Sequence, residues 1–172
     1  MTSFVLGGGC FWCLDSTYMQ FKGVQDVEVG YMGGAKSNPT YEQVCDGNTG
    51  HVEVAKVIFD EDVVSAEIIL DMFFTVHDPT QLNRQGNDIG SQYRSAIFTT
   101  SESQQLQAEV TRDVYQAALT REGIGEIVTG IKSADGMPYY LAEEYHQKYL
   151  QKNPNGYDCH SSTGVPFPAL AK

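Results

Sequence analysis

The sequence predicts an α+β fold: a two-layer sandwich with a central mixed sheet, flanking helices and an irregular C-terminal tail. Segments with strand periodicity and segments with helix periodicity follow one another in an irregular order, which favours this class over a doubly wound parallel sheet. The glycines near the N-terminus also lack the spacing of a dinucleotide-binding fingerprint. With 41% hydrophobic residues and no linker or repeat, residues 1–172 are expected to form one domain, with residues 153–172 as the tail.

The chain begins with a strand and a helix that flank a glycine turn. A strand at residues 4–6 stops at Gly7-Gly8-Gly9, and apolar residues then recur at helical spacing until Gly23. Cys10 therefore lies in the first turn of a helix, where unpaired N–H groups and the positive end of the helix dipole favour a thiolate. The glycines would let a substrate approach the backbone closely. A buried structural cysteine is the alternative interpretation of Cys10.

The strand predicted for residues 51–59 places a carboxylate in an apolar setting. It follows a strand at residues 24–31 and a turn at residues 46–50. Both faces are mostly apolar, so the strand is predicted to be central, with Glu53 on one of these faces. Burial there should raise the pKa of Glu53 and keep it protonated near neutrality, as a general acid requires. The alternative is a Glu53 that lies in solvent at the strand end or pairs with a cation.

Two helices are predicted in the middle of the chain. Ser65 caps the first, and the polar stretch at residues 80–92 that follows is predicted to be a loop over a site. After a strand at residues 93–100, Ser101 and Gln104 are predicted to form a capping box that opens a long helix. The residues assigned to the inner face of this helix are Leu106, Val110, Val114 and Ala117.

The last third of the chain is predicted to contain one more strand and one more helix. The strand covers residues 126–132, and Pro138 can start the helix. The helix would carry Leu141, Tyr145 and Tyr149. From residue 153 onward, the composition changes to Pro, Gly and Ser without a periodic pattern, which predicts the irregular tail.

Charge and composition exclude several classes of partner. The chain has 11 Lys+Arg against 22 Asp+Glu and a net charge of −11, which argues against binding of nucleic acid or an anionic membrane surface. Four cysteines in a chain of this length are not a disulfide scaffold. Because no apolar run has the length of a membrane span and no signal peptide precedes the first strand, a reducing, cytoplasmic location is expected.

The cysteines allow three interpretations. Cys10 and Cys13 could form a thioredoxin-like dithiol site, as in a general dithiol oxidoreductase. Together with Cys159 and His160 they could bind zinc in an interaction domain, although adjacent residues seldom both reach one metal. The third interpretation is a nucleophilic Cys10 with Glu53 as a distant acid. In this interpretation Cys159 from the tail returns Cys10 to its reactive form.

The third interpretation matches the pattern of a known family. The shared motifs occur in order over nearly the whole chain: Gly9-Cys10-Phe11-Trp12, Gly30-Tyr31-x-Gly33-Gly34, Asn38-Pro39-Thr40-Tyr41-x-x-Val44-Cys45, Thr49-Gly50-His51-x-Glu53, His77-Asp78-Pro79-Thr80-Gln81, Arg84-Gln85-Gly86-Asn87-Asp88, Gln92-Tyr93-Arg94-Ser95, Ala142-Glu143-x-Tyr145-His146-Gln147-x-Tyr149 and Asn153-Pro154. No single motif is decisive, but together they make the chain resemble class A peptide methionine sulfoxide reductases.

The resemblance implies a role for each matching residue. In this family the cysteine at the position of Cys10 attacks the sulfoxide sulfur and is left as a sulfenic acid. The position of Glu53 supplies a proton to the sulfoxide oxygen, and tyrosines at the positions of Tyr41 and Tyr93 hydrogen-bond the same oxygen. Asp88 matches the carboxylate that helps to hold the substrate through its backbone or an ordered water.

The resemblance also indicates what the site recognises. Phe11 and Trp12 match the family's apolar pocket for the terminal methyl group, which offers no hydrogen bond and is recognised by aromatic contact. The family acts on the S epimer of methionine sulfoxide, free or in peptides and proteins. This handedness rests on the resemblance alone.

The sulfenic acid must then be reduced. By resemblance, Cys159 in the tail condenses with Cys10 to a disulfide, which thioredoxin reduces. Cys13 is a rival, because residues three apart lie on one face of a helix. Cys45 is interpreted as packed and inert. No bound cofactor or metal is expected; the expected partners are thioredoxin, oxidised proteins and peptides and free methionine sulfoxide, and the protein is expected to be a monomer.

Overall fold

The protein is described by a computed structural model that covers residues 2–156 and 161–168. The strands are β1 (Thr2–Gly7), β2 (Val24–Met32), β3 (Val52–Phe59), β4 (Arg84–Gln85), β5 (Asp88–Ile89), β6 (Ala96–Thr99), β7 (Gly130–Ser133) and β8 (Tyr140–Leu141). The helices are α1 (Phe11–Met19), α2 (Tyr41–Cys45), α3 (Ala66–Val76), α4 (Glu102–Arg121) and α5 (Tyr149–Lys152). Two 3₁₀ turns lie at Ser91–Tyr93 and Glu144–His146.

Six strands form one mixed sheet in the order β7-β6-β1-β3-β2-β8, and β4 pairs with β5 in a separate hairpin. All neighbours in the large sheet are antiparallel except β6 and β7, which are parallel. The predicted α+β class with a mixed sheet is therefore confirmed. The prediction that β3 is central is confirmed as well, because β1 and β2 pair with its two edges.

The helices cover one face of the sheet. Leu14 and Tyr18 of α1, Phe73 of α3 and Tyr115 of α4 belong to one buried cluster with the apolar residues of β1 and β3. The opposite face is buried under irregular chain that includes Met137. The molecule is thus one helical layer on one sheet, as the two-layer prediction requires.

The two central helices begin at the predicted capping residues, but α4 buries a different face from the predicted one. Ser65 accepts a hydrogen bond from the backbone N–H of Ile68, and Ser101 accepts one from that of Gln104. The capping box of α4 is only half formed, because the Gln104 side chain accepts from the Thr100 N–H and donates to the Ser3 carbonyl instead.

The predicted inner face of α4 is wrong. Its members Leu106, Val110 and Val114 are 58%, 58% and 43% exposed, and Ala117 is exposed too. The buried residues of this helix are Gln104, Ala108, Thr111, Tyr115, Ala118 and Leu119. Small residues let α4 lie close to the core, and the tyrosine fills the remaining space, so hydrophobicity alone identified the wrong face.

Three other boundaries differ from prediction. The strand expected at residues 93–100 is the shorter β6 (Ala96–Thr99). The strand expected at residues 126–132 is β7, which begins later, at Gly130, and ends at Ser133. The helix expected from Pro138 is absent: β8, a 3₁₀ turn and the short α5 replace it. The reason is the free edge of β2, where the Ala142 N–H donates to the Val29 carbonyl and the Gln147 side chain bonds both backbone groups of Val29. This edge draws the chain into an extended path.

Residues 163–167 of the tail pack on α4. Residues 153–156 and 161–168 contain neither a helix nor a strand, and Tyr115 stacks on Phe167 and donates a hydrogen bond to the Val165 carbonyl. Cys159 and His160 lie outside the described residues. Within the described ranges, none of the helices has the length and apolar character needed to cross a bilayer.

Candidate active site

Cys10 lies in a tight turn between β1 and α1. It is the N-cap residue of α1 and is 8% exposed. A Cβ on Gly8 would come within 3.0 Å of the His77 ring, and one on Gly9, where φ is +91°, within 3.0 Å of the Gln85 side chain. In this structure the close approaches that these two glycines permit are made by protein side chains, which fix the turn.

Glu53 points from the central strand into the same turn. It lies opposite Tyr31 in the sheet, is 1% exposed, and one of its oxygens, Oε1, accepts a hydrogen bond of 3.3 Å from the Phe11 N–H. Burial raises the pKa of Glu53 to about 8; the Phe11 N–H lowers this pKa and the charge of Asp88 raises it further. The rise in pKa agrees with the sequence-based expectation. The other oxygen, Oε2, is buried and has no hydrogen-bond partner among the described residues.

The Cys10 thiol differs from the sequence-based expectation. Its pKa is raised by a hydrogen bond with the Cys13 thiol, by burial and by the charge of Glu53, and these effects outweigh the Trp12 N–H, which lowers it. The pKa of Cys10 is therefore raised, whereas its position at a helix start predicted a lowered one. One physical reason is that the first free N–H of α1, from Phe11, is directed at Glu53 instead of at the sulfur.

Trp12 forms the aromatic wall of the turn. Its indole N–H donates to Nδ1 of His146 at 3.0 Å, and its ring stacks on Tyr149 with centroids 3.9 Å apart. Phe11 is fully buried, with its ring 5.2 Å from the His146 ring and 5.8 Å from the Tyr31 ring. Of the two residues predicted to form the methyl pocket, Trp12 is therefore the one that is partly exposed. Phe11 is buried, with its ring 6.4 Å from the Trp12 ring.

Two tyrosines and one aspartate complete the cluster. Tyr41 is the first residue of α2, and its ring lies 6.3 Å from the Trp12 ring; Tyr93 ends the 3₁₀ turn before β6. Burial raises the pKa of both hydroxyls, and the charge of Glu53 contributes to both shifts. Asp88 acts on the Glu53 pKa from the β4–β5 hairpin. Glu53 thus interacts electrostatically with every other predicted residue of this set: Cys10, Tyr41, Tyr93 and Asp88.

The remaining cysteines give a mixed outcome. The interpretation of Cys45 as packed is wrong, because it is exposed, and its thiol shares a hydrogen bond with the Tyr41 hydroxyl. Cys13 is buried, with its thiol against that of Cys10. No group of three or more His, Cys, Asp or Glu suited to a metal occurs in residues 2–156 and 161–168, whereas the predicted ligands Cys159 and His160 lie outside these ranges.

Comparison with known proteins assigns the family. A family model described as peptide methionine sulfoxide reductase matches residues 2–167. The chain belongs to this family. The peptide methionine sulfoxide reductase MsrA of Pseudomonas putida (strain GB-1) is 52% identical over 95% of this chain and 73% of its own length. The MsrA of Vibrio parahaemolyticus is 52% identical over 95% of this chain and 76% of its own. The enzyme class predicted from the sequence is confirmed.

Solved structures share the fold. Methionine sulfoxide reductase A of Corynebacterium diphtheriae matches with a TM-score of 0.86 at 40% identity, over 95% of this chain and 80% of that one. Reduced Mxr1 from Saccharomyces cerevisiae matches with a TM-score of 0.83 at 34% identity, over 94% and 91%. Mxr1 in complex with Trx2 matches with a TM-score of 0.59 at 22% identity, over 94% and 88%, which is a likeness of fold alone.

The sequence identified residues 142–149 as one of the shared motifs and as part of a helix, but it assigned no role in the site to any of them. In the structure this segment carries His146 and Tyr149 onto Trp12 and Glu143 onto Tyr41. The burial of His146, 1% exposed, and the density of aromatic and polar residues fit a site better than a core helix. That density was visible in the sequence and was the available signal.

Proposed function

We propose that this reductase converts the S epimer of methionine sulfoxide, free or in peptides and proteins, to methionine by attack of Cys10 on the sulfoxide sulfur. The observation that carries the proposal is the Glu53 carboxyl beside Cys10. Its pKa of about 8 keeps it mostly protonated at neutral pH, and Oε2 has no hydrogen-bond partner in the described structure. A proton can therefore be donated to the sulfoxide oxygen without breaking an existing hydrogen bond.

The other residues hold the sulfoxide for this transfer. The hydroxyls of Tyr41 and Tyr93 share the oxygen with Glu53, and this is supported by the charge of Glu53, which contributes to the raised pKa of both hydroxyls. Trp12 receives the terminal methyl group, and Asp88 helps to hold the substrate. The step balances as one oxygen transfer: the S–O bond of the substrate breaks, methionine leaves, and Cys10 becomes a sulfenic acid.

The raised pKa of Cys10 is compatible with this role. The pKa of Cys10 is raised partly by the negative charge of Glu53, and that contribution disappears whenever Glu53 carries its proton. Proton donation from Glu53 also makes the sulfoxide sulfur more electrophilic. The attack is thereby coupled to substrate binding, and the resting thiol is protected from oxidation.

We further propose that Cys159 resolves the sulfenic acid. Its thiol would condense with Cys10, forming an S–S bond and releasing water, and thioredoxin would reduce the disulfide. Mxr1, which shares this fold, has been solved in complex with Trx2, and this supports a thioredoxin as reductant. Thiols carry both electrons, so the reaction needs no bound cofactor or metal. A reducing, cytoplasmic compartment suits it, and a monomer suffices because every acting residue belongs to one catalytic domain.

Cys13 is the second candidate for the resolving residue. Its thiol shares a hydrogen bond with the Cys10 thiol, so the two sulfur atoms are already in contact. Cys10 is the N-cap of α1 and Cys13 is three residues further, and residues at these two positions are close enough for each side chain to reach the other's backbone N–H in a capping box.

Disulfide mapping decides between the two cysteines. We expect one equivalent of sulfoxide to give a Cys10–Cys159 bond in the wild type, and Cys159→Ser to lose most thioredoxin-dependent turnover while still releasing one methionine per enzyme. Mass spectrometry of the non-reduced digest identifies the bond. A Cys10–Cys13 bond with normal thioredoxin turnover in Cys159→Ser would assign the role to Cys13.

The function itself is tested by turnover on each pure epimer of a methionine sulfoxide peptide with thioredoxin and its reductase. We expect the S epimer to be consumed and the R epimer to remain. Reduction of insulin disulfides without any sulfoxide activity would instead indicate a general dithiol oxidoreductase. Stoichiometric zinc in the purified protein, without turnover, would indicate the zinc-binding interaction domain.

A further inference from the structure

Glu143 joins β2 and α2 to its own segment, although its partners Tyr31 and Tyr41 lie 112 and 102 residues away in sequence. Its Oε1 accepts a hydrogen bond of 2.9 Å from the Tyr31 hydroxyl, and its Oε2 accepts one of 3.0 Å from the Tyr41 backbone N–H. The Tyr145 hydroxyl lies 3.4 Å from Oε2. Both carboxylate oxygens are thus used, and Glu143 ties β2 and α2 to the segment that carries His146.

The bond to Tyr41 is the main polar anchor of α2. This helix has only five residues, and its capping box between Thr40 and Gln43 is local. Among the described residues, the Tyr41–Glu143 bond is the only hydrogen bond shown between residues 40–45 and the chain beyond residue 47. The position of Tyr41 along the site therefore depends on Glu143.

The charge state of Glu143 suits this anchor. Burial raises its pKa, but the hydrogen bonds from the Tyr41 N–H and the Tyr31 hydroxyl outweigh burial, so the pKa is lowered overall and the carboxylate is ionised at neutral pH. An ionised carboxylate accepts at both oxygens and forms stronger hydrogen bonds than a neutral acceptor does.

We propose that Glu143 is a positioning residue for sulfoxide reduction, which holds the Tyr41 hydroxyl at the oxygen-binding point through the Tyr41 backbone. The inference rests on the proposed function, because it assumes that Tyr41 hydrogen-bonds the sulfoxide oxygen. The hydrogen bonds of the Glu143 carboxylate go to Tyr31, Tyr41 and Tyr145, so its effect on the reaction passes through Tyr41. Its carboxylate fixes the start of α2, and the Tyr41 ring extends from there toward Trp12 and Glu53. A small displacement of a group that binds the reacting oxygen is costly in rate.

The main test is Glu143→Ala, with Glu144→Ala as the matched control. Glu144 is the neighbouring carboxylate and its side chain is 91% exposed. We expect Glu143→Ala to lower kcat for the S epimer roughly tenfold or more with a smaller change in KM, and Glu144→Ala to resemble the wild type. Glu143→Gln should restore most of the rate, because its amide oxygen can accept from the Tyr41 N–H while its NH₂ donates to the Tyr31 oxygen.

A double-mutant cycle with Tyr41→Phe separates positioning from general stability. Without the hydroxyl, Glu143→Ala has nothing left to misplace, so its effect on kcat should shrink to less than about threefold. An equal loss in both backgrounds, or no loss in the wild-type background, would overturn the proposal. If the alanine variant fails to fold, Glu143→Asp replaces it, since its shorter side chain cannot reach both partners. A wild type without sulfoxide turnover would refute the proposed function itself.

Discussion

Cys10→Ser is expected to abolish reduction of methionine sulfoxide. A serine hydroxyl is a far weaker nucleophile than a thiol, and no oxygen counterpart of the sulfenic acid exists to be resolved. The change is nearly isosteric at a residue that is 8% exposed, so the fold and the Trp12 pocket should persist. The measurement is methionine release by the purified variant, both in a single turnover and with thioredoxin.

The control for Cys10→Ser is substrate affinity. Calorimetric titration with an S-sulfoxide peptide should give binding close to that of the wild type, since the proposed oxygen and methyl contacts come from other residues. Loss of turnover with retained binding assigns the chemistry to the thiol. Steady methionine release by the folded serine variant would refute Cys10 as the nucleophile.

Glu53→Gln is expected to slow the sulfoxide step about 10²–10⁴-fold at pH 7, the usual contribution of a general acid. The amide keeps the shape of the side chain but has no acidic proton. The ratio of wild-type to variant rate should be constant well below pH 8 and fall as the pH rises through about 8, where Glu53 loses its proton. Single-turnover rates from pH 6 to 10 measure this ratio; a ratio near one at pH 7 would remove the acid role.

Glu53→Gln should also change how the stability of the protein depends on pH, and this second measurement serves as the control for folding. The pKa of Glu53 is about 8 in the folded protein against an ordinary value of 4.5, so the folded state holds a proton that the unfolded state releases between these values. The free energy of unfolding therefore falls as the pH rises through this window. Glu53→Gln should remove this contribution, so its melting temperature should depend less on pH than that of the wild type. Lower activity is then not a sign of unfolding.

The parts of the site that the sequence predicted correctly follow from local rules. Alternation along one strand placed Glu53 in an apolar environment, and a glycine turn before a helical pattern placed Cys10 at a helix start. The thiol pKa was not predictable in this way. It depends on where the Phe11 N–H points and on the contact with Cys13, and both are set by packing.

The wrong predictions for the segment after Pro138 and for the buried face of α4 have a common physical cause. In both cases residues distant in sequence offer contacts that override the local pattern. The segment after Pro138 has helical periodicity, yet it pairs with the free edge of β2 more than 100 residues away. In α4 the apolar stripe of Leu106 and Val110 is real, but the buried face is the one that places Tyr115 and Gln104 against their partners. Periodicity reports what a segment could bury, and only the assembled fold decides which face it does bury.

The placement of Trp12 gives this enzyme a built-in optical probe. It is the only tryptophan of the chain, and it lies two residues from the nucleophile, stacked on Tyr149 and hydrogen-bonded to His146. The indole emission of the whole protein therefore originates beside the reacting sulfur, with no background from elsewhere. Oxidation of Cys10, entry of a substrate methyl group and return of the thiol each alter the surroundings of that one fluorophore. Stopped-flow emission can then time the successive half-reactions in the unlabelled protein.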